Sequence, residues 1–228
     1  MTQTILTILG LIVAAGLAIR FAMKLTAAAR KKRQAPDDFF ARVKPLIEYA
    51  RYEGEEIAGY PQLVGKYHGL GVRLYPVVDT LSVRKLPSLW LLATIAEPLP
   101  IGATFDLMMR PAGPTTFSNF DRLPVTLEGL PDLPLQAVVR TDDPEHVLPH
   151  HVVTPHLGIL HEPRAKELLI TPKGCRLVWQ LAEADRVRYG VFRQADFGDV
   201  TLDPDLVRDL LDRLIALRKS ILQWATPT

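Results

Sequence analysis

The sequence predicts an α+β fold: an N-terminal transmembrane helix, then a mainly antiparallel sheet packed with a juxtamembrane helix and a long C-terminal helix. Three observations predict it. Ile5 to Ile19 is a run without charge, followed by a basic cluster. Between Tyr60 and Arg193, short apolar segments alternate with polar residues and are cut by Gly and Pro, as strands are. At the C-terminus a start signal precedes an apolar stripe of helical period. The expected organisation is an anchor at 1–25, a basic collar at 26–36 and one cytoplasmic α+β domain at 37–228.

Thr4 to Leu25 supplies the roughly 20 helical residues that a bilayer core of about 30 Å requires. Met1-Thr2-Gln3-Thr4 lacks the cationic start of a cleaved secretory signal. Arg20, Lys24, Arg30, Lys31, Lys32 and Arg33 all follow the run and none precedes it, so the positive-inside rule puts the N-terminus outside. The expectation is a single-pass protein of the cell inner membrane with its domain in the cytoplasm. Gly10, Ala14 and Ala18 recur every four residues, a small face on which membrane helices pair. Without the six collar cations the formal charge goes from +2 to −4. The basic surplus therefore belongs to the collar, where it attracts membrane lipid, and a nucleic-acid partner is not expected.

The elements follow in order. Asp37 or Asp38 caps a juxtamembrane helix with Phe39, Phe40, Val43, Leu46, Ile47 and Ala50 on one face, kinked or restarted at Pro45. Leu63 to His68 and Val72 to Tyr75 flank a glycine turn and read as a hairpin, extended past Pro76 to Leu81. Leu89 to Ile95 is too short to span a membrane and reads as a central strand. Thr104 to Arg110 is another. Seven prolines fall between Pro98 and Pro134, which predicts an ordered loop with one short strand near Pro124 to Leu127.

Gln136 to Arg140 reads as a strand, and Asp142-Asp143-Pro144-Glu145 opens a short helix. Lys166 to Thr171, Arg176 to Leu181 and Val187 to Arg193 read as three more strands, with a turn at Pro172-Lys173-Gly174. Asp203-Pro204-Asp205 starts the last helix, whose buried stripe is Leu206, Leu210, Leu214, Leu217 and Ile221.

Groups for chemistry are sparse. Five of the six histidines lie between His146 and His161. On a helix His146 and His150 would share one side, the spacing of a zinc-ligand pair, with Asp142, Asp143 and Glu145 nearby; Pro149 interrupts that helix. The bland reading is a polar loop that collects histidines. Cys175 is the one cysteine, fits a reducing compartment and has no neighbouring base to make it a nucleophile. Gly65 to Gly71 turns between strands rather than opening a helix, so it is no phosphate loop.

Gly59-Tyr60-Pro61-Gln62-Leu63-Val64-Gly65-Lys66-Tyr67-His68-Gly69 and Thr141-Asp142-Asp143-Pro144-Glu145, in this order of elements, resemble uncharacterised membrane-anchored bacterial proteins with a single span and a cytoplasmic α+β domain. That resemblance implies architecture and no catalytic residues. The expected function is a non-catalytic accessory, assembly or scaffold subunit of a membrane protein complex, for example an energy-transducing one, with another integral membrane protein as partner. The alternative is a membrane-tethered metal-binding protein or hydrolase using the His146–His161 stretch.

Overall fold

A computed structural model describes residues 20, 39–57, 60–81, 86–128, 130, 132–192 and 195–226. The chain divides between Asp38 and Phe39. In the first part only Arg20 is described, helical and exposed.

The second part is built on nine strands: β1 Glu48–Ile57, β2 Tyr60–Tyr67, β3 Leu70–Asp79, β4 Ser88–Ile95, β5 Phe105–Met109, β6 Val125–Leu127, β7 Ala137–Thr141, β8 Ala165–Thr171 and β9 Gly174–Glu183. They form one sheet in the order β1-β2-β3-β4-β9-β8-β5-β7-β6, with every neighbouring pair antiparallel. The helices are α1 His150–Val153, α2 Arg186–Phe192 and α3 Pro204–Ala225, with 3-10 turns at Lys44–Leu46, Phe120–Arg122 and Thr154–His161.

Side chains alternate between the faces of a strand, so each register row belongs to one face. Leu74, Ala93, Leu177, Leu168 and Leu107 lie in one row across β3, β4, β9, β8 and β5, and all are buried. This first face carries the main core. α3 covers it with Leu210, Leu214, Leu217 and Ile221, joined by Val152 and Val153 of α1 and by Phe39, Phe40 and Val43. Full burial of one such aliphatic side chain is worth about 1.5–3 kcal/mol.

Polar ties fix α3 on the sheet. Asp203 caps it by accepting from Asp205 N–H at 3.2 Å. Tyr67 of β2 donates to Asp212 at 3.0 Å. Arg218 donates to the carbonyl of Pro98 at 2.6 Å.

Several expectations are corrected. Pro45 does not kink a juxtamembrane helix; it sits in the 3-10 turn, after which the chain enters β1. Gly65 permits this, because a Cβ there would lie 2.5 Å from Glu48 O as β1 bulges over β2. The run read as a strand at Val187 to Arg193 is α2 over Arg186–Phe192, begun by the Asp185 carboxylate, which accepts from Arg188 N–H at 2.7 Å. The helix expected from Asp142 begins only at His150.

The fold is thus a nine-stranded antiparallel sheet with few helices, not an anchored domain with two major soluble helices. Among the described residues no helix is long and apolar enough to cross a membrane, contrary to the expected transmembrane helix, single-pass architecture and inner-membrane location. The longest, α3, has 22 residues but carries Asp205, Arg208, Asp209, Asp212, Arg213 and Lys219 on its polar side. Apart from Arg20, the features expected at 1–36 lie outside the described residues, including Gly10, Ala14, Ala18, Lys24, Arg30, Lys31, Lys32 and Arg33.

Candidate functional site

One residue away from each buried row on the first face lies a row on the second. It runs Arg73, Thr94, Arg176, Leu169, Asp106, Arg140 and Thr126 across β3, β4, β9, β8, β5, β7 and β6. Charge thus recurs along this row on β3, β9, β5 and β7. The next row toward β3's C-terminus adds Tyr75, Leu92, Val178, Glu167 and Met108.

The proline-rich segment roofs part of this face. Phe117 and Phe120 pack on Val77, Leu92, Met108 and Val178 in a small second core, and the Phe117 ring lies 5.5 Å from that of Trp90. The roof is pinned by polar contacts. Ser118 O–H donates to Glu167 Oε1, while Phe120 N–H donates to Ser118 Oγ at 3.1 Å. Arg140 lies over the Phe120 ring, 5.2 Å from its centroid, and donates to the carbonyl of Asp121 at 3.3 Å.

Beneath the roof sit two acids, Asp106 at 2% and Glu167 at 0% exposure. Asp106 Oδ1 and Glu167 Oε2 are buried and accept from no other donor group, and the two carboxyls hydrogen-bond each other. Burial, and then the charge of Glu167 beside it, push Asp106 up to about 9, against a smaller opposing effect of Arg176. Burial also raises Glu167 to about 7, partly offset by the Ser118 hydroxyl and by the cations Arg176 and Lys166. Two adjoining carboxyls in an apolar setting resist double ionisation, so Asp106 keeps its proton at neutral pH.

Beside the roof the face opens into a cleft of about 640 Å³. Its charged lining is Arg73 and Arg176; Tyr75, Val77, Leu92 and Phe117 supply apolar wall. Arg176 Nε donates to Thr94 Oγ1 at 3.2 Å, which fixes the orientation of its guanidinium. Burial lowers the Arg176 pKa, Glu167 and Asp106 oppose that, and the positive charge of Arg73 adds to the lowering. Arg73 itself is exposed and has no carboxylate partner among the described residues. A larger cleft of about 920 Å³ lies toward Trp90 and Gln180. Of its three cations, Arg110 and Lys166 already donate to backbone carbonyls, at 2.8 Å to Ala165 O and 2.6 Å to Met109 O, and the third is the exposed Arg186 at the start of α2.

The residues singled out by sequence are not gathered here. His146 Nδ1 lies 2.7 Å from Asp143 Oδ2 at the surface, which holds that carboxylate below its usual range. His150 is exposed at the start of α1, with its ring 6.1 Å from that of His151. His156 packs between the 3-10 turn and α3, 2.9 Å from Ser220 Oγ, and burial lowers its pKa. Among the described residues no group of three metal-ligating side chains converges. Cys175 is buried under α3 on the first face, its thiol pushed up to about 12 by burial.

Arg73, Arg176, Asp106 and Glu167 escaped the sequence reading because four different strands carry them. A signal did exist: Asp106 interrupts Phe105-Asp106-Leu107-Met108-Met109, and Glu167 interrupts Ala165 to Ile170. A charge at the buried parity of a central strand calls for a partner on the neighbouring strand.

No family model and no curated protein matches the chain. Among solved structures, the crystal structure of the mycobacterial trehalose monomycolate transport factor A, TtfA, is similar with a TM-score of 0.43 and 9% identity, over 86% of this chain and 98% of that one. At that level the likeness carries no argument about this chain.

Proposed function

We propose that the domain is a non-catalytic accessory or scaffold module that binds an anionic group on the second face of its sheet, in the cleft between β3, β9 and the proline-rich roof. The observation that carries this reading is the pair of guanidinia on either side of Thr94. Arg73 is on β3 and Arg176 on β9, with β4 between them. At about 4.8 Å per strand their Cα atoms are roughly 10 Å apart, within reach of one oxyanion for side chains of this length. Two like charges held this close repel each other, and an anion between them relieves the repulsion.

Binding rather than acid–base chemistry is favoured because the titrating pair does not line the cleft. Asp106 and Glu167 are sealed below Ser118 and Phe120, whereas the cleft wall holds cations, hydroxyls and apolar groups. A general acid or base must come within hydrogen-bond reach of the atom it protonates or deprotonates.

Amide chemical shifts of the labelled full-length chain, titrated at low salt with benzoate, octanoate, phenyl phosphate and tri-glutamate, test the reading. The expected result is that at least one anion moves the signals of Arg73, Thr94 and Arg176 together and saturably. Shifts confined to the helix cations Arg208 and Arg213, or spread without focus, overturn it.

A further inference from the structure

Resting on that reading, we infer that the cleft takes a small aromatic carboxylate, its carboxylate between Arg73 and Arg176 and its flat apolar body against Tyr75, Leu92 and Phe117. Three features of the cleft select this class over other anions.

The first is its polarity along one direction. The Arg73–Thr94–Arg176 row forms one end of the described lining, and no acid lines the rest. The neighbouring rows bring Tyr75 and Leu92, then Val77, and Phe117 comes down from the roof onto them, its ring 5.5 Å from that of Trp90 outside the lining. A ligand that satisfies both ends has one anionic group and one apolar body. A volume of about 640 Å³ holds a small molecule of this kind, since ligand clefts run from about 300 to 1,000 Å³.

The second is the source of the donors. β3, β4 and β9 each pair with a strand on both sides, so their main-chain N–H groups are spent in the ladders. Phosphate sites usually draw on free backbone N–H groups at a helix N-terminus or a loop. The strands offer no such group, and recognition falls to two planar guanidinium forks, which pair with a planar carboxylate as they do with a phosphate.

The third excludes a peptide docked as an added strand. Such a peptide gains its affinity from main-chain hydrogen bonds at a free sheet edge. The cleft lies over interior strands, where no edge is available. A rigid aromatic body loses little conformational entropy on binding and stacks on Tyr75 and Phe117.

Titration of the full-length chain with 2-naphthoate tests the inference, read by calorimetry and by Trp90 emission through the Phe117 contact. We expect saturable one-to-one binding. The neutral analogue 2-naphthol should bind about tenfold or more weakly, the loss of one charge-assisted contact of ~1.4 kcal/mol. Arg73→Gln should weaken 2-naphthoate by a similar factor. Arg73 is exposed, so this variant keeps its fold, which an unchanged circular dichroism melt verifies. Inorganic phosphate at equal concentration should not displace 2-naphthoate. Equal affinity for 2-naphthol, or no effect of Arg73→Gln, overturns the inference. Tighter binding of tri-glutamate also overturns it while leaving the anion-binding module intact. Failure of every anion at this row removes the module as well.

Discussion

The two faces of one sheet are built from adjacent residues and behave as different materials. On the first face, Leu74, Leu91, Ala93, Leu107, Leu168 and Leu177 meet the apolar stripe of α3, and almost nothing polar intrudes. On the second, Arg73, Thr94, Arg176, Asp106 and Arg140 form a charged row beside a small apolar cluster under a proline-rich roof. The first face accounts for stability by continuous burial. The second gives up part of that burial to keep charge and open space at a defined place, as binding surfaces do.

The comparison is most directly broken at two neighbouring leucines of β4. Leu91 faces the main core and Leu92 the small one. Leu91→Ala should cost about 2–5 kcal/mol of unfolding free energy in urea titration, the usual range for a buried leucine in a core that cannot collapse. Leu92→Ala should cost less, because the roof can settle into the gap. Equal costs for the two variants would show that the faces contribute alike.

The acids give the next effect, and it depends on pH. Asp106 has a folded pKa of about 9 and Glu167 of about 7, both above the values of an unfolded chain. The native state therefore keeps protons that the unfolded state has released above about pH 4. Their contribution is fully present below that pH and is lost as pH rises toward 9. Asp106→Asn should flatten the fall of Tm between pH 5 and 9, and its gain over the parent should be greatest at pH 9. An unchanged slope would mean that the pair does not control alkaline stability.

A smaller change is expected where the roof is pinned. Ser118→Ala removes the hydroxyl that donates to Glu167 and accepts from Phe120 N–H, leaving buried groups unpaired at a cost of about 1–3 kcal/mol. Hydrogen exchange should rise at residues 116–122 and stay unchanged in α3. Smallest of all, Arg213→Ala breaks the exposed pair with Asp209 at 2.9 Å and should shift stability by less than about 1 kcal/mol in chemical denaturation.

Much of the first face was legible in the sequence, because its information is local. The Asp203 cap, Pro204 and the leucines of α3 announce that helix within its own residues. The alternation of β3, the dense apolar run of β4 and the turn before Gly174 likewise mark strands. Gly174 has φ +140° and a Cβ there would lie 2.1 Å from Ile95 O, so glycine is required where β9 meets the end of β4.

The errors arose where local pattern and tertiary setting disagree. β1, Glu48-Tyr49-Ala50-Arg51-Tyr52-Glu53-Gly54-Glu55-Glu56-Ile57, is an irregular edge strand rich in charge, so it shows no clean alternation. Charge and bulges suit an edge, since they discourage pairing with another chain. In Arg186–Phe192 the alternation of Val187, Tyr189 and Val191 imitates a strand, but the Asp185 cap and the absence of a sheet neighbour make it a helix. The prolines between Pro98 and Pro134 marked an ordered loop without telling which face it would roof.

Local sequence was enough to mark the strands of a mostly antiparallel sheet and the start and buried stripe of α3. The tertiary structure alone decided that β9 lies between β4 and β8, and therefore that Arg176 stands across Thr94 from Arg73 and that Asp106 adjoins Glu167. The physical reason is the range of the information. Helix caps and alternation act over a few residues, whereas the site is made by lateral pairing of strands up to about a hundred residues apart in the chain, through contacts that no local spacing encodes.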